Sequence, residues 1–157
     1  MRPYVRMEAW VAFEGGPYVK CAAFCERVIE GKDSVLSLIR VIDRLISTAT
    51  GPAPPQDMPT VTLAFTAVLS FVAGRARGRH EVRVEREAPN GERRPVWSGS
   101  ILVNGEESAH NLLLNLNETF DLEGIYWYDI FLEDQLITRM PMQVSYMRVQ
   151  GGLATSP

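Results

Sequence analysis

Between Gly124 and Tyr146, apolar and polar residues alternate in two runs on either side of Glu133-Asp134-Gln135, the pattern of a β-hairpin with one face in a core. Side chains alternate across a strand, so Tyr126, Tyr128, Ile130 and Leu132 share one face, and Ile125, Trp127, Asp129 and Phe131 share the other. On the return run, Leu136, Thr138, Met140, Met142, Val144 and Tyr146 form one set, and Ile137, Arg139, Pro141 and Gln143 form the second. A three-residue loop of Glu133, Asp134 and Gln135 joins the apolar sets, with Leu132 opposite Leu136, Tyr128 opposite Met140 and Tyr126 opposite Met142. It also sets Asp129 across from Arg139. A loop one residue shorter or longer slips the register and mixes the faces, whereas the three-residue loop asks Gln135 for a left-handed conformation.

The same reading extends along the chain. Tyr18 to Cys25 reads as a strand, and Arg79 to Glu87 alternates with Val82 and Val84 inward and Glu81, Arg83 and Glu85 outward. Ser34 to Ile46 follows the turn-like Glu30-Gly31-Lys32-Asp33. Its Leu38, Ile39, Val41, Ile42, Leu45 and Ile46 fit a helical stripe, but its β-branched content favours a strand. Ser47 to Pro59, with Gly51 and Pro52, Pro54, Pro55 and Pro59, is expected to be a loop. Thr60 to Ala73 reads as a buried strand. Asn90-Gly91 marks a turn into Val96 to Val103, and Asn104-Gly105 a turn into Ala109 to Phe120, with Leu112, Leu114 and Leu116 on one face. Residues 1–17 are expected to be an N-terminal arm or added strand, 18–146 a single domain, and 147–157 a tail. These elements imply an all-β protein, an antiparallel β-sandwich of about eight strands.

Composition narrows the function classes. Hydrophobic residues at 46% and charged residues at 22% of 157 describe an ordinary globular chain. A net charge of -3 excludes general phosphate-driven nucleic-acid binding. The longest apolar run, Val61 to Ala73, is too short to span a bilayer as a helix, and Glu8 and Glu14 interrupt any leader-like apolar stretch, so cytoplasm is the expected location. Cys21 and Cys25, four apart on a strand, lie about 13 Å from each other, beyond disulfide reach, and read as buried small hydrophobes.

Ala22 to Ile46 (AAFCERVIEGKDSVLSLIRVIDRLI), Gly78-Arg-His-Glu-Val-Arg-Val with the later Asn90-Gly91, and Gly124-x-Tyr126 leading into the last hairpin resemble a family of small, stand-alone bacterial proteins of uncharacterised function. The resemblance covers roughly residues 18 to 146. It implies an immunoglobulin-like β-sandwich and brings no catalytic residues. It further implies that Tyr126, two after Gly124, acts as a corner tyrosine whose hydroxyl bonds nearby backbone.

No catalytic constellation stands out. His80 lies in Gly78-Arg-His-Glu, but the second histidine of a cupin metal motif is missing, Val82 standing in its place; His110 is as isolated. Both are expected to be structural, with no metal and no cofactor. The arginines Arg75, Arg77, Arg79, Arg83, Arg86, Arg93 and Arg94 alternate with Glu81, Glu85, Glu87 and Glu92, as in a solvated, salt-bridged hairpin. Glu118, Asp121, Glu123, Glu133 and Asp134 match no calcium loop, and Asp43-Arg44 reads as a structural pair.

The outer face of the last hairpin differs. Ile125, Trp127, Phe131, Ile137 and Pro141 surround Asp129 and Arg139 there, and aromatic patches on a solvated sheet face mark contacts. The competing expectation is that the N-terminal arm covers this face through Met7, Trp10 or Phe13. Pro141 cannot donate to a ladder, which points to an edge strand or an outward-facing missing donor. The leading expectation is therefore a non-enzymatic module that contacts a protein partner, or another copy of itself, through Ile125, Trp127, Phe131, Ile137 and Arg139. The alternative is a small-anion or carbohydrate-binding sandwich using loop arginines and aromatics.

Overall fold

The computed structural model describes residues 15–105 and 109–151. The arm's Met7, Trp10 and Phe13 lie outside the described residues. Among the described residues there are nine strands: β1 (Tyr18–Glu30), β2 (Leu36–Ile42), β3 (Arg44–Gly51), β4 (Val61–Val72), β5 (Arg77–Glu87), β6 (Arg93–Asn104), β7 (Ala109–Phe120), β8 (Gly124–Leu132) and β9 (Gln135–Gln150). They form a four-stranded sheet in the order β2-β1-β4-β7 and a five-stranded sheet in the order β3-β9-β8-β5-β6. No helix among the described residues is long and apolar enough to cross a membrane.

The alternating residues build the core between the sheets. Phe24, Phe65, Leu69, Phe71 and Leu114 from the first sheet meet Val82, Val84, Ile101, Tyr126, Tyr128, Ile130, Leu132, Met140, Met142 and Val144 from the second. Phe24 stands edge-on to Phe65 and Tyr128, with ring centroids 5.2 and 4.9 Å apart, a geometry favoured by the ring quadrupoles.

The long apolar run after Asp33 is extended, as expected, but it is two strands in two sheets. β2 pairs antiparallel with β1; beyond Asp43, β3 pairs with β9 in parallel, so the sandwich is not purely antiparallel. Leu36, Leu38 and Ile42 are partly buried before the break, and Leu45, Ser47 and Ala49 after it, so the inward positions change from even to odd numbers as the chain changes sheets. β3 runs through Ser47–Gly51, where a loop was expected. Residues 147–150, read from sequence as tail, are the end of β9 and pair with Thr48–Gly51. β9 consequently lies between β3 and β8; among the described residues its side toward β3 is unpaired up to Met142, and its side toward β8 beyond Val144.

The last hairpin keeps its expected register through its body: Tyr126 pairs with Met142, Tyr128 with Met140 and Asp129 with Arg139. Its tip is different. The loop is two residues, Glu133 and Asp134, both with positive φ (48° and 65°), which is the backbone of a type I′ turn. Leu132 thus pairs with Gln135, and Phe131 with Leu136. An irregularity between Ile130 and Phe131 then leaves Ile137 as an extra residue, which restores the register. A short loop plus one bulge equals a longer loop without one. Ile137 therefore packs against the core instead of lying on the outer face, while Leu136, expected inside, is 50% exposed.

Candidate functional site

Three cross-strand rows cross the outer face of the five-stranded sheet. Running from β6 through β5 and β8 to β9, they are Arg93–Glu87–Trp127–Pro141, Pro95–Glu85–Asp129–Arg139 and Ser98–Arg83–Phe131–Leu136. Strand alternation alone brings these residues to one surface. Asp129 sits at the centre with 2% of its surface exposed. Arg139 grips it with Nε donating to Oδ1 at 2.6 Å and Nη2 to Oδ2 at 3.3 Å, and Arg93 lies 3.5 Å away. Both arginines also reach Glu87.

The aromatics are not left bare. The Arg139 guanidinium lies 4.8 Å above the Trp127 ring, and that of Arg83 lies 4.7 Å above Phe131. Arg83 is held in turn by Glu85 at 2.9 Å and Asp134 at 2.8 Å. Hydrogen bonding to Asp129 and Asp134 raises the pKa of Arg139 and Arg83 respectively, so both stay charged. Of the residues singled out from sequence, Ile125, Trp127, Phe131 and Arg139 share this face, Ile125 being 40% exposed. Ile137 does not, and Leu136 takes its place. The face is an arginine-covered aromatic ladder, more polar than the apolar patch read from the sequence.

Beside the third row lies a concavity of about 320 Å³, lined by Arg79, Glu81, Arg83, Ser98, Ser100, Phe131 and Asp134. Arg79 reaches the Ser100 hydroxyl at 3.4 Å. A second concavity of about 410 Å³ lies at the other end of β5, lined by Arg86, Arg94, Asn90, Glu92, Thr119 and Asp121. Below it is a cluster that the sequence reading left in solvent. Arg86, expected in a solvated hairpin, points between the sheets; its guanidinium lies 4.8 Å from the Tyr126 ring and 5.5 Å from the Phe120 ring. It donates to Glu118 Oε2 and to the Thr119 carbonyl, both at 2.9 Å. Arg94 and, at 3.2 Å, the Tyr128 hydroxyl donate to the same carboxylate oxygen. Burial, with Glu118 close by, pushes the Tyr128 phenol up from its ordinary pKa. The signal was present in the chain: Arg86 continues the inward series Val82, Val84, and Glu118 the series Leu112, Leu114, Leu116.

The remaining candidates lie apart from this face. The Leu122 amide donates to the Tyr126 hydroxyl at 3.1 Å, the corner contact implied by the resemblance. Gly124, at φ 130°, lets the chain enter β8 against Pro89, where an added Cβ would sit 2.8 Å from the proline ring. His80 lies 3.4 Å from Glu133 and 3.2 Å from the Arg77 carbonyl, so one carboxylate approaches it, not two. The acidic residues are dispersed: Glu118 is inside, Glu123 accepts the Tyr146 amide, and Glu133 and Asp134 form the hairpin tip. Among the described residues, no three His, Cys, Asp or Glu gather to hold a metal. Cys21 and Cys25 are free thiols, Cys25 buried and its pKa raised by that burial. Asp43 and Arg44 are an exposed pair at 3.5 Å.

The model of one family, described as a family of unknown function, DUF6941, matches residues 20–145 of the chain. None of the curated proteins matches it.

Proposed function

The chain belongs to the family of unknown function DUF6941, and we propose that this member is a non-enzymatic interaction module, an immunoglobulin-like sandwich that captures a protein partner on the outer face of its five-stranded sheet. The observation that carries this reading is the arginine–aromatic ladder of Trp127, Arg139, Phe131 and Arg83. Trp and Arg dominate binding hot spots, and side chains already locked by ion pairs lose little freedom on association. Ile125 and Leu136, 40% and 50% exposed, supply apolar area at its margins. The immunoglobulin-like reading draws support from the corner contact of Tyr126 and from the sheet-switching β2–β3 segment that ends beside the last strand. The free thiols of Cys21 and Cys25 favour a cytoplasmic location.

Proteins retained by the tagged full chain, quantified by mass spectrometry, test this. Trp127→Ala is expected to lose a defined set of partners at least tenfold while the circular dichroism spectrum stays unchanged. Equal retention by the variant and the parent overturns the reading.

A second reading rests on the concavity of about 320 Å³, whose lining includes Arg79, Ser98, Ser100 and Phe131. Such a site suits a small anion or a carbohydrate. Titration calorimetry with inorganic phosphate and a panel of monosaccharides, on the parent and on Arg79→Ala, decides it. Heat that is lost in the variant supports the site, and no heat with any probe removes it.

A further inference from the structure

Each outer strand of a sheet exposes unpaired N–H and C=O groups, and the edges of this protein are protected unequally. β2 is seven residues long and is interrupted by Arg40 at φ 53°. β3 has eight residues and ends in Gly51. β6 carries Arg93, Arg94 and Pro95 next to a bulge; the stretch of β9 open toward β3 carries Arg139, Pro141 and the Ile137 bulge, and the short stretch beyond Val144 open toward β8 carries Arg148 and gives its Tyr146 amide to Glu123. β7 has none of these devices. It pairs without a break along twelve consecutive residues of β4, from Ala109 opposite Val72 to Phe120 opposite Val61. From Ala109 to Asn117 (AHNLLLNLN) it contains no Lys, Arg, Asp, Glu, Pro or Gly. Among the described residues, no strand pairs with its other side.

We propose that β7 is the seam of a homodimer, pairing antiparallel with β7 of a second copy about a two-fold axis at Leu113 and joining the two four-stranded sheets into one. The chemistry of the strand selects a second copy over another occupant. Two-fold pairing sets every residue opposite a symmetry mate from the same short run, so a charged run would set like charges against each other, and this one carries no Lys, Arg, Asp or Glu. Centring on Leu113 keeps chemical kinds together across the central five residues, Asn111 to Asn115. On the outer face Leu113 meets its own mate and Asn111 meets Asn115 of the other copy, amide against amide. On the inner face Leu112 meets Leu114, continuing the apolar layer. Leu113, 37% exposed in the single chain, becomes covered. The axis closes the assembly at two copies, because among the described residues each chain offers one such edge and uses it once.

Sedimentation equilibrium over a range of concentrations is expected to show a reversible shift from the 17.6 kDa chain to twice that mass. Leu113→Lys, at an exposed position, puts two ammonium groups at the axis and is expected to weaken the dimer at least tenfold while leaving the spectrum of the folded chain unchanged. Trp127→Ala leaves the dimer intact. Leu113→Cys is expected to give, under mild oxidant, a covalent dimer whose linked peptides both contain position 113, since directly opposed Cα atoms lie within disulfide range. A wild-type chain that stays monomeric at millimolar concentration, a dimer indifferent to Leu113→Lys, or cross-linked peptides that exclude position 113 overturns the proposal.

Discussion

At the residue scale, the best-connected side chain is Glu118, whose Oε2 accepts from Arg86, Arg94 and Tyr128 between the sheets. The Arg86 and Glu118 side chains are 10% and 7% exposed. Glu118 keeps Arg94 when Arg86 is lost, whereas Arg86 has its carboxylate partner in Glu118, so removing Glu118 strands the guanidinium in a low dielectric. Glu118→Leu is expected to cost about 3–5 kcal/mol in urea unfolding, and the double change Arg86→Met with Glu118→Leu to recover most of it. The Tyr128 phenol adds a pH dependence. Its pKa is raised in the folded chain, so its contribution is fully present below about pH 10, where unfolded tyrosine ionises. Above that pH the unfolded chain releases a proton that the folded chain retains, and stability falls by about 1.4 kcal/mol per pH unit for this one group. Stability curves of wild type and Tyr128→Phe, compared from pH 9 to 11, are expected to converge as pH rises. A constant difference across that range counts against it.

The elements show why a pattern can be right while its details shift. The body of the last hairpin was legible because its inner set, Tyr126, Tyr128 and Ile130 against Met140, Met142 and Val144, becomes almost wholly buried, and a slip would expose all of it. The tip was not legible. Glu133-Asp134 lacks the glycine that a two-residue type I′ turn favours, yet both residues adopt positive φ, and the bulge at Ile137 absorbs the difference. Residues with a Cβ pay for that conformation, and Asp134, whose side chain is 87% exposed, can be relieved of it. Asp134→Gly is expected to raise stability by about 0.5–1 kcal/mol in thermal and urea unfolding, despite losing an exposed ion pair. The run from Leu36 to Ala49 gives a second lesson. Its inward positions change parity at Asp43 as the strand leaves one sheet for the other, and a change of parity places apolar residues three and four apart, imitating a helical stripe.

For the molecule as a whole, the parallel pairing of β3 with β9 matters most, because it ties the chain segment that leaves the four-stranded sheet to the last strand of the five-stranded one. Eight residue pairs make this contact, from Arg44 with Gln143 to Gly51 with Gln150, and four of them involve Met147 to Gln150. A chain ending at Tyr146 is therefore expected to be destabilised. A loss of about 2 kcal/mol lowers Tm by about 4–8 °C in a domain of this size. An unchanged melting curve would mean that residues 147–150 are the tail their composition suggests. The same scale decides what the outer face offers a partner. Its exposed character comes from the cross-strand rows, which bring Arg83, Arg93 and Arg139 from three different strands onto one carboxylate and two aromatic rings.

By itself the sequence determined most of the strands and the faces of most of them, because alternation with a period of two is a local property of the chain, while the backbone contact of the Tyr126 hydroxyl was implied by the resemblance that Gly124-x-Tyr126 helps to carry. It also determined that Ile125, Trp127, Phe131 and Arg139 share a surface. Only the tertiary structure decided the rest. Which strands are neighbours, and so which arginine covers which ring, depends on pairings between residues up to a hundred positions apart. The sheet switch at Asp43, the bulge that turns Ile137 inward and the enclosure of Arg86 with Glu118 arise where the two sheets must close on one another, and no local pattern encodes that closure.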